Sequence, residues 1–332
     1  MREMEQDRKK WLWGLIGLFL FVLVLSLFVG RYPKPYWLPI QTLLEDDLAQ
    51  RLVFNLRLPR ILTAALLGAT LAACGTVLQM IFRNPIVEPG FLGVSQGAAF
   101  GAAVAILWLG GSQLMVEVSA TLFALLGLAL SFLFARSLRF GGWVLRLILS
   151  GIVVSALFSS GMGILKYLAD PLTQLQEITF WLLGGLWSIT WQELLYILPV
   201  VLLGLLIVYL MRWRLNVLSL GQDTAFSLGA ETTRERFLLL VAAVSATAVV
   251  TAVSGIVGWV GLIVPQIARQ IFGPNGQYAV PGSMLIGAVF GILCDDIART
   301  LLAGEIPLGI LTSFLGAFIF ILIMNRSRVK LR

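Results

Sequence analysis

Apolar runs of the ~20 residues needed for a bilayer-crossing helix recur in this sequence from Trp11 to Met324, with short polar connectors between them. A chain built this way has few folds open to it. The runs are long and continuous, not short and alternating as in a β-barrel, so they define an all-α polytopic membrane protein. About ten transmembrane helices are expected, near 11–30, 60–82, 92–110, 117–136, 144–165, 190–211, 236–255, 258–272, 281–301 and 306–325. The eighth is short and contains Pro265. The first run follows Arg2, Arg8, Lys9 and Lys10. It reads as a spanning helix and not a cleaved leader, because Gly30-Arg31-Tyr32-Pro33 follows where a small-residue cleavage site would stand.

Composition agrees: only 12% of the 332 residues are charged, against roughly 25% in a soluble domain. The net charge of +7 is no nucleic-acid signature, since the basic residues sit in connectors. With the N-terminus inside, 17 Lys and Arg fall in inner connectors and 7 in outer ones. That bias places both termini in the cytoplasm. No histidine is present, which removes histidine metal sites and histidine general bases. Cys74 and Cys294 lie inside apolar runs and read as small packing residues.

Small residues recur four apart on several runs, as at Ala64, Gly68 and Ala72. Gly93, Gly97 and Gly101 repeat the spacing, as do Gly151, Ser155 and Ser159, and Gly287 with Gly291. Such a strip serves close helix packing or forms a smooth wall along a pathway. The connector 31–60 carries Glu45-Asp46-Asp47 and has room for a short helix; 166–190 holds Phe180, Trp181, Trp187 and Trp191, an interfacial aromatic belt with a short non-spanning helix. The connector 212–236 is expected to fold as an elbow. A short helix within Leu220–Leu228 would stop at Gly229, and Thr232-x-x-Glu235 would cap the next span. No lysine follows a glycine, so there is no phosphate-binding P-loop. Mid-span acids are scarce, which disfavours an ion-coupled secondary transporter; Asp295 and Asp296 sit near the outer end of the ninth span, where Asp296 can meet Arg299.

Six ordered stretches closely resemble the FecCD-type permeases of ABC importers for vitamin B12, haem and ferric siderophores. They are RLPR (57–60), RNPIVEPGFLGVSQGA (83–98), LSGIVVSALFSS (149–160), LGQDTAFSLG (220–229), GWVGLIVPQIAR (258–269) and AGEIPLGILTSFLGA (303–317). The resemblance covers about residues 50–325, and Gln266 departs from it where the family commonly has histidine. It implies a single permease domain over 1–332 with the ABC type II importer fold, in a bacterial or archaeal plasma membrane. It also implies two separate ATPase subunits that hold ATP and Mg, an extracytoplasmic substrate-binding protein, and a second permease copy, with no cofactor bound by this chain and no nucleic acid. On the same basis Arg57, Arg60 and Arg299 would dock the binding protein. Leu220, Gly221, Ala225, Leu228 and Gly229 would couple to the ATPase. Gly93, Gly97, Gly101, Gly151, Ser155 and Ser159 would line the pathway, and Gly141 and Gly142 would lie at the cytoplasmic gate. The cargo would be a metal chelate, with molybdate or tungstate as the alternative.

Overall fold

Inside a hydrocarbon slab every backbone N–H and C=O must find a partner within the protein, so an apolar chain of this kind resolves into helices. The computed structural model describes residues 2–32, 36–220, 222–229, 231–302 and 304–326. Helix α1 (Arg2–Phe28) is followed by two short helices, α2 (Ile40–Glu45) and α3 (Asp47–Arg51). A wide π-helical turn (Leu52–Arg57) then runs straight into α4 (Leu58–Phe82). A tight 3-10 turn (Pro89–Leu92) leads to α5 (Val94–Trp108), α6 (Gln113–Ser137), α7 (Trp143–Leu168), the short α8 (Gln174–Leu183) and α9 (Trp191–Leu210). The elbow holds α10 (Arg214–Leu218) and α11 (Gln222–Ser227), and α12 (Thr232–Ser254), α13 (Val260–Phe272), α14 (Gly276–Thr300) and α15 (Leu308–Arg326) complete the chain.

Among the described residues seven helices are long and apolar enough to cross a membrane, and α5, α13 and α15 are shorter apolar helices. Together they match the ten expected spans. The described residues begin and end on one face, here the terminal face. Glu5 near the start of α1 meets the Tyr278 hydroxyl at the start of α14, 3.1 Å apart, and Ser26 near the end of α1 meets Asp296 near the end of α14.

Helix α4 is the axis. It continues from Asp47 to Phe82 without a break, and most of it is buried by other helices. Pro59 sits in its first turn, where a missing N–H costs little. The strip Ala64, Gly68, Ala72 faces the strip Gly287, Gly291 on antiparallel α14. A methyl on Gly68 would lie 1.9 Å from the Gly287 carbonyl oxygen, and one on Gly291 would lie 2.3 Å from that of Ala64. Two small-residue stripes more than 200 residues apart are thus one contact. Two turns further along α4, a methyl on Gly75 would lie 1.9 Å from the Gly261 carbonyl of α13. Cys74 and Cys294 are buried packing residues in these helices.

The connectors follow local chemistry. At the C-terminus of α4, Arg83 adopts left-handed geometry and the Asn84 side chain accepts from Ile86 N–H at 3.0 Å, which turns the chain back toward the bundle. Helix α8 does not span. Behind it, Gly185 N–H donates to the Ser254 carbonyl and Leu308 N–H to that of Gly184, each at 2.8 Å, strapping α8, α12 and α15 together. The expected capping box at Thr232 does not form. Glu231 takes the N-cap position without a side-chain bond, and Glu235 turns instead to Arg214 at 3.0 Å. The box that does form is Thr190 with Glu193 at α9.

Gly287→Leu should therefore wedge α4 and α14 apart. Overpacking of this kind costs about 3 kcal/mol or more where the obstacle is backbone, so thermal unfolding in detergent should show a large drop in midpoint. A variant as stable as the parent would mean that the helices can separate freely.

A mid-membrane cavity, an outer arginine cleft and an exposed elbow

The central cavity has a volume of about 400 Å³ and lies between α4, the turn at Glu88–Phe91, the start of α5, α7, α12 and residues 256–258. Its polar atoms come from Ser95, Gln96, Ser155, Ser159, Thr247, Thr251 and Glu88. Glu88 is the one ionisable group among the described lining residues. It sits in the connector after α4, where burial pushes its carboxyl above the usual range and a hydrogen bond from the Trp259 backbone partly offsets that push. The connector is tied to α13 a second time, because the Gln266 side chain donates to the Pro85 carbonyl at 3.1 Å. Gln266 thus braces the turn that carries Glu88.

Of the expected pathway residues, Ser155 and Ser159 line this cavity. Gly93, Gly97, Gly101 and Gly151 do not, because they are spent on packing. Methyls at Gly97 and Gly101 would each lie 2.4 Å from carbonyl oxygens of α6, at Phe123 and Ser119, and one at Gly151 would lie 2.1 Å from that of Phe91. At Gly93 the backbone is left-handed, and a side chain would also strike Val154. These glycines let α5 and its leading turn seat among α6 and α7. The Ser119 and Ser131 hydroxyls fasten the seat by donating to the Gly101 and Leu92 carbonyls.

At the face opposite the termini, the three expected docking arginines form a buried network and not a free basic patch. The Arg60 guanidinium forks onto Asp295, with Nε and Nη2 2.8–3.1 Å from its oxygens, and reaches Glu305 with Nη1 at 2.9 Å. Arg299 bonds the Ser26 carbonyl at 2.8 Å and also pairs with Asp296. Arg57 donates to the Leu27 and Tyr32 carbonyls at 3.1 and 2.6 Å. Arg57 is 9% exposed and Arg299 7%, so the arginines first of all clamp α1, α4 and α14. They still reach solvent through a cleft of about 290 Å³, shared with Arg31, Trp187 and Glu305. Asp295 and Glu305 were the partners missed in the sequence. The signal available was that a carboxylate inside an apolar span needs a cation.

On the terminal face the elbow projects α11. Ala225 is fully buried, so it belongs to the support of the elbow and not to its outer face, contrary to expectation. The exposed apolar tip is Phe226 at 76% and Leu228 at 60%, flanked by Leu220. Gly229 closes the helix in left-handed geometry with its N–H on the Phe226 carbonyl. Gly221 lies outside the described residues. Gly141 and Gly142 are exposed in the α6–α7 connector, and neither lines the cavity.

The described residues thus form a polytopic helical bundle around a polar cavity. The FecCD transport family model matches residues 18–326. The molybdate import system permease MolB of Haemophilus influenzae is 41% identical over 94% of each chain. The vitamin B12 import permease BtuC of Vibrio cholerae is 36% identical over 98% of each. A solved metal-chelate type ABC transporter in an inward-facing conformation superposes with a TM-score of 0.89 at 40% identity, covering 96% of this chain and 99% of the other. The chain belongs to the FecCD transport family, and it is a permease of an ABC importer.

Breaking a buried pair by removing one partner costs about 3–5 kcal/mol. Asp295→Ala should lose that much stability in thermal unfolding, while Glu305→Ala, at the solvent edge of the cleft, should lose under about 1 kcal/mol. Equal losses would contradict the division between buried clamp and exposed partner.

Proposed function

We propose that this permease passes a metal chelate through the Glu88–Ser155–Ser159 cavity, with the cavity completed by a second copy of the chain. ATP hydrolysis on separate ATPase subunits drives the cycle, and those subunits hold ATP and Mg. A soluble binding protein delivers the chelate on the face opposite the termini, and both termini face the cytoplasm. The carrying observation is the cavity itself: it is roomy and hydroxyl-lined, and it contains one carboxylate with no lysine or arginine among its described lining residues. Such a wall suits a bulky neutral or cationic complex. A small oxyanion would meet Glu88 without a compensating cation. Molybdate is the second reading, and the 41% identity to the molybdate permease favours it.

In this reading the binding protein offers carboxylates to the outer cleft. Exposed ion pairs of this kind contribute ~0.2–1 kcal/mol each, so their main effect is register and steering. Glu305 already occupies one prong of Arg60, and an incoming carboxylate has to displace it. Glu305→Gln should therefore tighten docking of the cognate binding protein a few-fold, by at most about 1 kcal/mol, and Arg57→Glu should weaken it in a salt-dependent way. Binding that ignores both changes would remove the cleft from the docking surface.

On the terminal face, Phe226 and Leu228 form the knob that seats in the ATPase, and Gly141 and Gly142 hinge the nearby gate. Ala225→Trp should push α11 off its support and uncouple hydrolysis from uptake, read as ATPase turnover that loaded binding protein no longer stimulates. The deciding experiment is that ATPase assay in lipid, with the parent complex and binding protein loaded in turn with ferric siderophore, haem, cobalamin or molybdate. Stimulation by a chelate carries the proposal; stimulation by molybdate alone replaces it with the second reading.

A further inference from the structure

A second cavity shares no lining residue with the central one. It has a volume of about 470 Å³ and sits where the C-terminal end of α6 meets the starts of α7 and α12, on the terminal face. Phe132, Ala135, Trp143 and Phe237 form its apolar floor, and Arg136, Arg146 and Arg234 stand around it with Thr233. The aromatic floor is packed: Phe132 stacks edge-on to Phe237 with ring centres 5.3 Å apart and lies 6.4 Å from Trp143. Behind Trp143, Arg236 lies with its guanidinium carbon 5.8 Å from the ring centre.

The cations of this cavity meet few anions. No carboxylate is among its described lining residues. Arg146 spends one nitrogen on the Leu138 carbonyl at 2.9 Å, closing the α6–α7 turn, but its buried Nε has no partner. Arg236 bonds the Leu218 carbonyl, and its buried Nε is likewise unpaired. Arg234 touches only Glu231, at 3.5 Å on the open surface. The N-termini of α7 and α12, positive ends of the helix dipole, open on the same space. Donors left unpaired at a low-dielectric site are costly, and a guanidinium fork matches the oxygens of a phosphate.

We propose that this cavity binds the phosphate headgroup of an anionic phospholipid. The amphipathic form of the site selects lipid over a soluble phosphate. The arginines come from the end of α6 and the starts of α7 and α12, the helix ends where an anionic headgroup would meet a spanning bundle. The cavity floor includes Phe237, and the exposed Leu133 and Leu238, next in sequence to Phe132 and Phe237, offer an acyl chain further apolar surface on α6 and α12. The site is independent of the cargo, and it ties the elbow end of α12 to the leaflet.

The test uses the full chain, stripped of lipid in detergent. Unfolding temperature is followed on adding phosphatidylglycerol, phosphatidylcholine with the same acyl chains, or inorganic phosphate, and retained lipid is read by native mass spectrometry. Phosphatidylglycerol should stabilise the parent and remain bound, and the other two should not. Arg146→Gln and Arg234→Gln should each weaken that response about fivefold, the ~1 kcal/mol expected per interfacial arginine. Arg8→Gln, on the same face but outside the cavity, should leave it unchanged. Arg234 is exposed, so its variant keeps the test alive if Arg146→Gln folds poorly. Equal stabilisation by both lipids, retention of phosphatidylglycerol by the double variant, or an equal response to inorganic phosphate would each overturn the proposal.

Discussion

The contact between α4 and α14 sets most of this structure. Glycine on both helices removes the side chains that would hold two backbones apart, so they approach to the distance of carbonyl against Cα. Antiparallel helices in such contact share a register, one turn for one turn. Ala64 lies against Gly291 and Gly68 against Gly287. One further turn along the same register brings Arg60 onto Asp295. The buried ion pair is thus positioned by packing made elsewhere, and it seals the end of the bundle where water could otherwise enter. Further toward the terminal face the Thr76 and Ser283 hydroxyls meet at 2.8 Å, a buried neutral pair.

The same trade between space and contact shapes the central cavity. Gly93, Gly97, Gly101 and Gly151 are consumed in seating α5 and its leading turn against α6 and α7, while Ser95 and Gln96 of α5, the serines of α7 and the threonines of α12 turn toward open volume. The turn that carries Glu88 would be loose as a free connector. Hydrogen bonds from α13, at Trp259 and Gln266, hold it against the bundle. A change in the tilt of α13 would therefore be felt at the one charged group of the cavity, a mechanical link that needs no contact with the elbow.

On the terminal face, two features point in different directions. The α11 tip offers exposed apolar side chains to a protein partner, and the arginine-rimmed cavity between α6, α7 and α12 faces the membrane interface. Both hang on the start of α12, since Arg214 of α10 pairs with Glu235 and Arg236 holds the end of α10 through the Leu218 carbonyl. Force on the elbow is delivered to α12, and through it to Thr247 and Thr251 in the cavity wall.

Much of this was legible in the sequence. The lengths of the apolar runs determined ten membrane helices, because a hydrocarbon slab has one thickness and a backbone within it has one economical way to satisfy its hydrogen bonds. The order of motifs determined the family, and residue spacing determined which helices carry smooth faces. What a smooth face meets could not be read from one strand of residues. Gly93 and Ser155 sit on stripes of the same spacing, yet one is jammed against α6 and α7 while the other looks into the cavity. Likewise Arg60 reads as an outward cation until Asp295, more than 200 residues away, is brought beside it, and Arg57 until the Leu27 and Tyr32 carbonyls take it up. Nothing in the sequence separates Ala225 from Phe226 and Leu228, yet the fold buries the first and exposes the other two. Local periodicity records that a residue is small, charged or apolar. Which neighbour it faces is a property of helix register and tilt, and only the tertiary structure decided those.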